Sequence, residues 1–256
     1  MRNKALILTA AALLVFSFGC LALAQEEAQG AQNIGMVYRF TVEPGMFLQF
    51  EAAIHAHLAW CEAQNEPWAW SAYQVITGDN YGQYIFRADV SSWEGIDAYE
   101  EFFSRKVMNF RLNVTPLLES ISVSIWETEI ELSRWPEDGD FNLLEVYKYS
   151  IKPTQVREFN EAISRIHEAI VEADWPVYYL WESLLSGGIV PSAKLVIPHE
   201  SWAGFSEPET SLWEILVAAY GEEEAGSILE QWSNSVCKTD SFTVRYRPDL
   251  SYSPEE

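Results

Sequence analysis

Alternation of apolar and polar positions predicts a strand near the start of the folded chain, with a helix directly after it. From 36 to 42, Tyr38, Phe40 and Val42 share one face, which is typical of a β-strand. From 46 to 64 the apolar residues recur every third or fourth position, the pattern of an amphipathic helix. The elements that follow are strands at 68–76 and 81–90, a helix from Ser91-Ser92 to Phe103 with more helix up to Leu118, and a strand at 121–132. The predicted order is β-α-β-β-α-β.

This order occurs twice in the chain. Residues 37–96 align with 146–205 at a constant offset of 109, without a gap, and eleven of the aligned pairs are identical. The identical pairs include residue types that turn or terminate elements, among them Pro44/Pro153, Gly78/Gly187 and Trp93/Trp202. The aligned unit is far longer than a solenoid repeat, so we interpret it as a duplicated domain. The second copy predicts strands at 144–151, 177–185, 192–197 and 241–247, a helix at 154–174, and an acidic insertion around 206–227 whose helix breaks near Gly221.

The first segment of the chain has the pattern of a signal peptide. Its features are a basic start, an apolar run and a small-residue cleavage motif, found at Arg2 and Lys4, at 5–16 and at Ala22-Leu23-Ala24. Cleavage near Ala24 predicts an exported protein, either periplasmic or secreted. Lipidation of Cys20 is the alternative that the segment leaves open. No later segment is long and apolar enough for a membrane helix, so we predict no stable membrane insertion.

Export changes the balance of charges and cysteines. The signal removes two of the 16 basic residues and no acid, which leaves 14 Lys and Arg against 38 Asp and Glu. So acidic a surface repels nucleic acid and anionic lipid, and we predict no nucleic-acid partner. The mature chain keeps Cys61 and Cys237, and whether they pair stays open because the sequence does not give their Cα separation.

The duplicated unit resembles a known superfamily. A β-α-β-β-α-β unit forms a four-stranded antiparallel sheet with both helices on one face, the ferredoxin-like plan. Three features are similar to the dimeric α/β-barrel superfamily: the order of elements, the strand–Pro44-Gly45–helix opening and the Ser-Trp-x-Gly helix start. That superfamily includes antibiotic-biosynthesis-type monooxygenases, haem-degrading enzymes and chlorite-dismutase-like proteins. The resemblance implies an α+β fold: two tandem ferredoxin-like repeats with their antiparallel sheets apposed as an intramolecular α/β barrel.

The resemblance and the repeat together divide the chain into six parts. They are a signal peptide at 1–24, a flexible leader at 25–35, repeat 1 at 36–133, a linker at 134–143, repeat 2 at 144–248 and a polar tail at 249–256. The haem-binding motif of the chlorite-dismutase-like branch is not recognisable in this sequence, so we predict no cofactor. Oligomeric state stays open.

His57 and Cys61 form the first candidate site. They stand one helical turn apart and align with Ile166 and Ile170, so they lie on the stripe that faces the sheet. An imidazole and a thiol at this spacing suit a metal or haem iron, but they make an incomplete ligand set. We therefore interpret both as core residues and predict no metal site. The remaining histidines, His55, His167 and His199, form no cluster with them.

A second candidate follows from strand parity. On the first strand of each repeat, the face opposite the apolar one carries Arg39 and Lys148 at equivalent positions. The same parity, applied to the third strands and the last strand, adds further cations to these non-helical faces: Arg87, Lys194 and Arg245. We predict that the five cations line the barrel interior and bind an anionic small ligand. The alternative is that they pair with strand acids such as Glu182 or are solvated.

Function is less constrained than fold. The chain has 11 Trp, 12 Tyr and 13 Phe, and strand aromatics such as Trp68 and Trp70 suit either a planar ligand or a packed interface. No Gly-rich phosphate loop, G-x-S-x-G, H-E-x-x-H or Cys-x-x-Cys motif occurs, so no catalytic residue is assigned. We predict an exported soluble protein that binds a small anionic or aromatic molecule between its sheets. The alternatives are a cofactor-independent monooxygenase-like enzyme and a haem-binding barrel protein.

Overall fold

The computed structural model describes residues 33–136 and 141–254. Within them the strands are β1 (Ile34–Val42), β2 (Ser71–Val75), β3 (Tyr84–Val90), β4 (Leu118–Thr128), β5 (Leu143–Ile151), β6 (Leu180–Ser186), β7 (Ser192–His199) and β8 (Val236–Tyr246). The helices are α1 (Phe47–Ala63), α2 (Trp93–Asn113), α3 (Val156–Glu172), α4 (Leu212–Tyr220) and α5 (Glu222–Ser235). The predicted signal peptide, most of the leader and part of the linker lie outside the described residues.

The strands form one closed antiparallel barrel in the order β1-β3-β2-β8-β5-β7-β6-β4. Within each repeat the pairing is the same: β4-β1-β3-β2 in the first and β8-β5-β7-β6 in the second. The two sheets join edge to edge at two seams, where β2 pairs with β8 and β4 pairs with β6. The predicted pair of ferredoxin-like repeats is confirmed, and their non-helical faces enclose the barrel interior.

Two equivalent glycines hold the seams. Gly78 and Gly187 turn the β2–β3 and β6–β7 hairpins with φ of +84° and +86°, a region that favours glycine. A Cβ on Gly78 would lie 3.0 Å from the Ser241 carbonyl oxygen of β8, and one on Gly187 would lie 2.2 Å from the Val123 carbonyl oxygen of β4. Each hairpin therefore packs closely on the last strand of the other repeat, which explains why both positions kept glycine.

The helices cover the outside of the barrel. α1 and α2 pack on the first sheet through a core that includes Phe40, Phe50 and Phe102. α3 packs on the second sheet through Phe159 and Ile163. α4 lies within the acidic insertion and packs beside α3, and α5 packs there too, with Trp232 against Tyr149 of the second sheet. Within the described residues, no helix combines the length and apolar character needed to cross a membrane.

Several element boundaries differ from the sequence prediction; β4, for example, spans Leu118–Thr128 where a strand at 121–132 was predicted. α2 runs without a break from Trp93 to Asn113, and β8 begins at Val236, before the predicted start at 241. The predicted break near Gly221 is confirmed, since this residue with φ of +81° separates α4 from α5. The segment predicted as a polar tail instead packs on the barrel: Leu250 is fully buried, and Tyr252 exchanges two backbone hydrogen bonds with Trp70. Paired backbone groups and one apolar anchor outweigh the polar composition of this segment.

Candidate ligand-binding cavity in the barrel

The barrel interior holds a cavity of about 650 Å³, which is within the size range of small-molecule sites. Its walls come from the non-helical faces of both sheets. Four of the five predicted cations line it: Arg39, Arg87, Lys148 and Lys194. The cavity also carries large aromatic side chains, among them Tyr73, Trp126 and Phe242.

Arg245 does not belong to this group. Phe242 and Val244 line the cavity, so alternation along β8 directs Arg245 to the outside, where it is exposed. The prediction that Arg245 shares the interior face is therefore wrong. It assumed that the apolar residues of the last strand face the helices, whereas on β8 they face the barrel.

Glu182 neutralises two of the interior cations. Its side chain is 1 % exposed, and its carboxylate lies 2.5 Å from Arg87 Nη1 and 2.6 Å from Lys194 Nζ. Burial alone would raise the pKa of Glu182, but the charges of Arg87 and Lys194 outweigh it and hold that pKa below its ordinary value. Arg87 also contacts Asp89 at 2.6 Å, near the rim of the cavity. Arg87 and Lys194 therefore pair with acids on the strands. This is the alternative to ligand binding that the sequence left open.

Arg39 and Lys148 have no such partner. Among residues 33–136 and 141–254, neither forms an ion pair. Arg39 Nη1 donates a hydrogen bond to Gln83 Oε1 at 3.2 Å, and its guanidinium lies 5.0 Å from the centroid of the Phe242 ring. Burial lowers the pKa of both cations, and the charge of Arg39 lowers that of Lys148 further. Asp240 is opposite Lys148 in the sheet register, but its carboxylate is held by Lys238 at 2.7 Å.

Trp126 is a cavity residue that sequence reasoning did not identify. Its indole Nε1 donates to Ser124 Oγ at 2.8 Å, and Lys194 Nζ lies 4.3 Å from its ring centroid. Alternation along β4 could have placed it inside, had the facing direction of that strand been known. The predicted candidates Trp68 and Trp70 instead lie on the helix side: Trp68 stacks on Tyr99 with centroids 3.7 Å apart, and Trp70 is buried in the core.

One interior position distinguishes the two halves of the barrel. Tyr73 on β2 and Glu182 on β6 are related by the offset of 109, and both line the cavity. Burial raises the pKa of Tyr73, so its hydroxyl stays neutral, while Glu182 carries a charge. The cavity is therefore built from similar halves with different polar groups at this position.

His57 is a core residue with both ring nitrogens in contact with neighbouring side chains. Its Nδ1 lies 2.7 Å from Asn109 Oδ1 on α2, and its Nε2 lies 3.7 Å from Cys61 Sγ. Burial lowers the pKa of His57, which favours the neutral ring. The side-chain amide of Asn109 thus satisfies the buried ring, in agreement with the interpretation of His57 as a core residue.

The residues of the cavity do not fit a haem. None of the four histidines lines the cavity. His55 is exposed on α1, His57 lies between helices, His167 contacts the Tyr179 hydroxyl at 2.8 Å and His199 contacts Glu145 at 3.3 Å. In the part of the chain that the structure describes, no three His, Cys, Asp or Glu side chains are grouped to hold a metal ion.

The two cysteines of the predicted mature chain are both free. Cys61 is buried in α1, and burial raises the pKa of its thiol to about 11. Cys237 is exposed at the start of β8. A thiol with so high a pKa is a poor nucleophile near neutral pH, so Cys61 packs as a small apolar residue.

No protein-family model matches the chain, and no curated protein matches it. Solved structures do. A candidate monooxygenase from Lactobacillus acidophilus is 9% identical with a TM-score of 0.55, covering 87% of this chain and 97% of its own. An anthrone oxidase-like protein is 14% identical with a TM-score of 0.55, covering 89% and 96%. A chlorite dismutase variant from Candidatus Nitrospira defluvii is 8% identical with a TM-score of 0.55, covering 85% and 93%.

Structural similarity at such low sequence identity is evidence for a shared fold only. The matches extend over nearly the whole of each compared chain, so they include both repeats and the closed barrel. This chain therefore has the fold of the dimeric α/β-barrel superfamily, with both halves of the barrel contained in one polypeptide.

Proposed function

We propose that the barrel cavity binds a small anionic molecule whose acid group lies between Arg39 and Lys148. The observation that carries this proposal is the placement of two partly buried cations, neither of which forms an ion pair within the described residues, inside a protein of formal net charge −22. A cation that loses water is costly unless an acid, a water or a ligand anion compensates it. Arg39 and Lys148 occupy equivalent positions in the two repeats, so each half of the barrel has a cation at this position.

The acids that line the cavity are already engaged. Glu182 is shared by Arg87 and Lys194, Asp89 contacts Arg87, and Asp240 contacts Lys238. An external carboxylate is thus the natural counter-charge for the two remaining cations, because Arg and Lys both form short charge-assisted hydrogen bonds to carboxylate oxygens.

We also propose that the protein acts outside the cytoplasm, on the strength of the signal-peptide pattern at 1–24. The second candidate function is an oxygen-consuming enzyme of the cofactor-independent monooxygenase kind. Names among the structural neighbours, a candidate monooxygenase and an anthrone oxidase-like protein, favour this second candidate. Oxygen uptake in the presence of a bound ligand would distinguish the enzyme from a binding protein.

The test of the binding proposal is a thermal-shift and calorimetry panel with small anions, using acetate, benzoate, succinate and phosphate. We expect at least one anion to stabilise the wild type, and the double variant Arg39→Gln with Lys148→Gln to lose that protection. The matched control removes two exposed cations, Arg111→Gln with Arg245→Gln, and should keep it. If no anion protects the wild type, or the control loses protection equally, the proposal is wrong.

A further inference from the structure

The wall that the second repeat contributes to the cavity contains one charged row. Hydrogen-bonded register places four side chains next to one another across four strands: Asp240, Lys148, Lys194 and Glu182. Glu182 pairs with Lys194 and Lys238 pairs with Asp240, so Lys148 is the member of this row that keeps its charge for a ligand. The row marks one level of the barrel at which an anion is favoured.

The neighbouring row of the same wall is apolar throughout. Two residues along each strand, Val146 pairs with Phe242 and Val196, and Val196 pairs with Leu180. Beyond it, Leu144 pairs with Val244. All of these residues line the cavity. The wall thus changes from charged to apolar within a single step along the strands.

The first repeat supplies a second cation at this boundary, on a wall whose rows mix apolar and polar residues. Arg39 lies across the barrel with its guanidinium 5.0 Å from the Phe242 ring, at the junction of the charged and apolar rows. Its own row contains Ser122, Ile85 and Tyr73, and the next row places Val37 beside Arg87 and Ser124. Rows that are apolar throughout therefore lie on the wall of the second repeat, whereas apolar and polar residues alternate within the rows of the first repeat.

We infer that the bound anion is an amphiphilic monocarboxylate, with its carboxylate at Arg39 and Lys148 and its hydrocarbon body along Val146, Phe242, Leu144 and Val244. This inference rests on the proposed function and specifies the class of ligand. A small inorganic oxyanion would satisfy the two cations but would leave the apolar rows uncovered. A hydrocarbon body covers them, and each buried methylene adds favourable transfer free energy.

The experiment is a chain-length series measured by isothermal titration with acetate, butanoate, hexanoate and octanoate, alongside octanamide and inorganic phosphate. We expect affinity to rise about fourfold for each methylene that the apolar rows cover. Octanamide has the same chain without the charge and should bind at least about tenfold more weakly than octanoate, because a bond to a charged group contributes more than a neutral one. Acetate and phosphate should bind weakly.

Equivalent valines of the two repeats offer a matched pair of variants. Val146→Thr keeps the shape of the side chain but adds a hydroxyl to the apolar wall, and it should weaken octanoate several-fold while leaving acetate unchanged. Val37→Thr makes the same change at the equivalent position of the first repeat, and it should alter octanoate binding much less.

The outcomes separate this inference from the proposal on which it rests. If acetate, phosphate and octanoate bind with equal affinity, the inference of an amphiphilic ligand is wrong, while the proposal that the cavity binds an anion is kept. Equal binding of octanamide and octanoate, unaffected by loss of Arg39 and Lys148, overturns both. Rising affinity along the series, with loss on Val146→Thr, supports both.

Discussion

Lys148 and Lys194 face each other on neighbouring strands of the same barrel, and both point into one cavity. They differ in their partners: Lys194 lies 2.6 Å from the carboxylate of Glu182, while Lys148 forms no ion pair within the described residues. The two residues are both lysines in the same row of the same cavity, so comparing them shows the effect of having an ion-pair partner. We interpret the paired cation as part of the architecture and the unpaired one as part of the recognition surface.

The largest effect should follow from removing the shared acid. Glu182→Gln leaves Arg87 and Lys194 without their buried counter-charge, and we expect a loss of about 3–5 kcal/mol in the free energy of unfolding. Urea denaturation measures it, with Glu119→Gln on the exposed face of β4 as the matched control. A loss of unfolding free energy no larger than that of the control would show that the ion pairs of Glu182 with Arg87 and Lys194 do not stabilise the fold.

The same carboxylate predicts how stability depends on pH. Its pKa is lowered on folding from an ordinary value of 4.5, so its contribution is present above that value and is lost as pH falls through the folded pKa. We expect the difference in unfolding free energy between wild type and Glu182→Gln to be full near neutrality and to shrink on acidification below 4.5. Denaturation curves across this interval measure the difference. If this difference in unfolding free energy stayed constant as the pH falls below 4.5, Glu182 would not be ionised in the folded protein.

Replacing each lysine of the facing pair tests the comparison directly. Lys194→Met removes one of two cations from a buried carboxylate, and we expect a cost of about 1–3 kcal/mol. Lys148→Met removes a cation that forms no ion pair within the described residues, so the stability of the ligand-free protein should hold or rise. Denaturation of both variants in ligand-free buffer is the measurement. Equal destabilisation by the two substitutions would remove the distinction between them.

The smallest effect should come from a polar core residue that has partners but no charge. His57→Leu is close to a volume-conserving swap, and we expect it to cost less than about 1.5 kcal/mol while the fold is kept. Ile166→Leu at the equivalent position of the second repeat is the control. Loss of a bound metal or chromophore in a folded His57→Leu protein would show that the imidazole is a ligand after all.

The sequence predicted the fold well because duplication doubles the information in each pattern. Arg39 and Lys148 were placed correctly on the interior face, since the opposite face of their strands carries large apolar residues that the helices cover. Arg245 was misplaced because β8 directs its apolar residues Phe242 and Val244 inward. Where both faces of a strand can be buried, alternation gives two faces without saying which one is inside.

The pairing of Glu182 with Arg87 was beyond pattern analysis for another reason. Arg87 lies on β3 of the first repeat and Glu182 on β6 of the second, strands that are not neighbours in the barrel. Their 2.5 Å contact exists only because the two sheets close on each other, and strand parity within one repeat carries no information about it. The sequence named Glu182 as an acid that could compensate cations, but not which cations it would hold.

The Tyr73/Glu182 difference has a consequence for how a ligand can lie. A barrel assembled from two identical chains has a twofold axis through its cavity, so every interior group occurs twice and a ligand without that symmetry has two equivalent poses. Fusion of the halves removes this constraint, because position 73 can be a neutral phenol while position 182 is a carboxylate. In this cavity the two poses of an asymmetric ligand are therefore no longer equivalent, and the ligand can be bound in a single orientation.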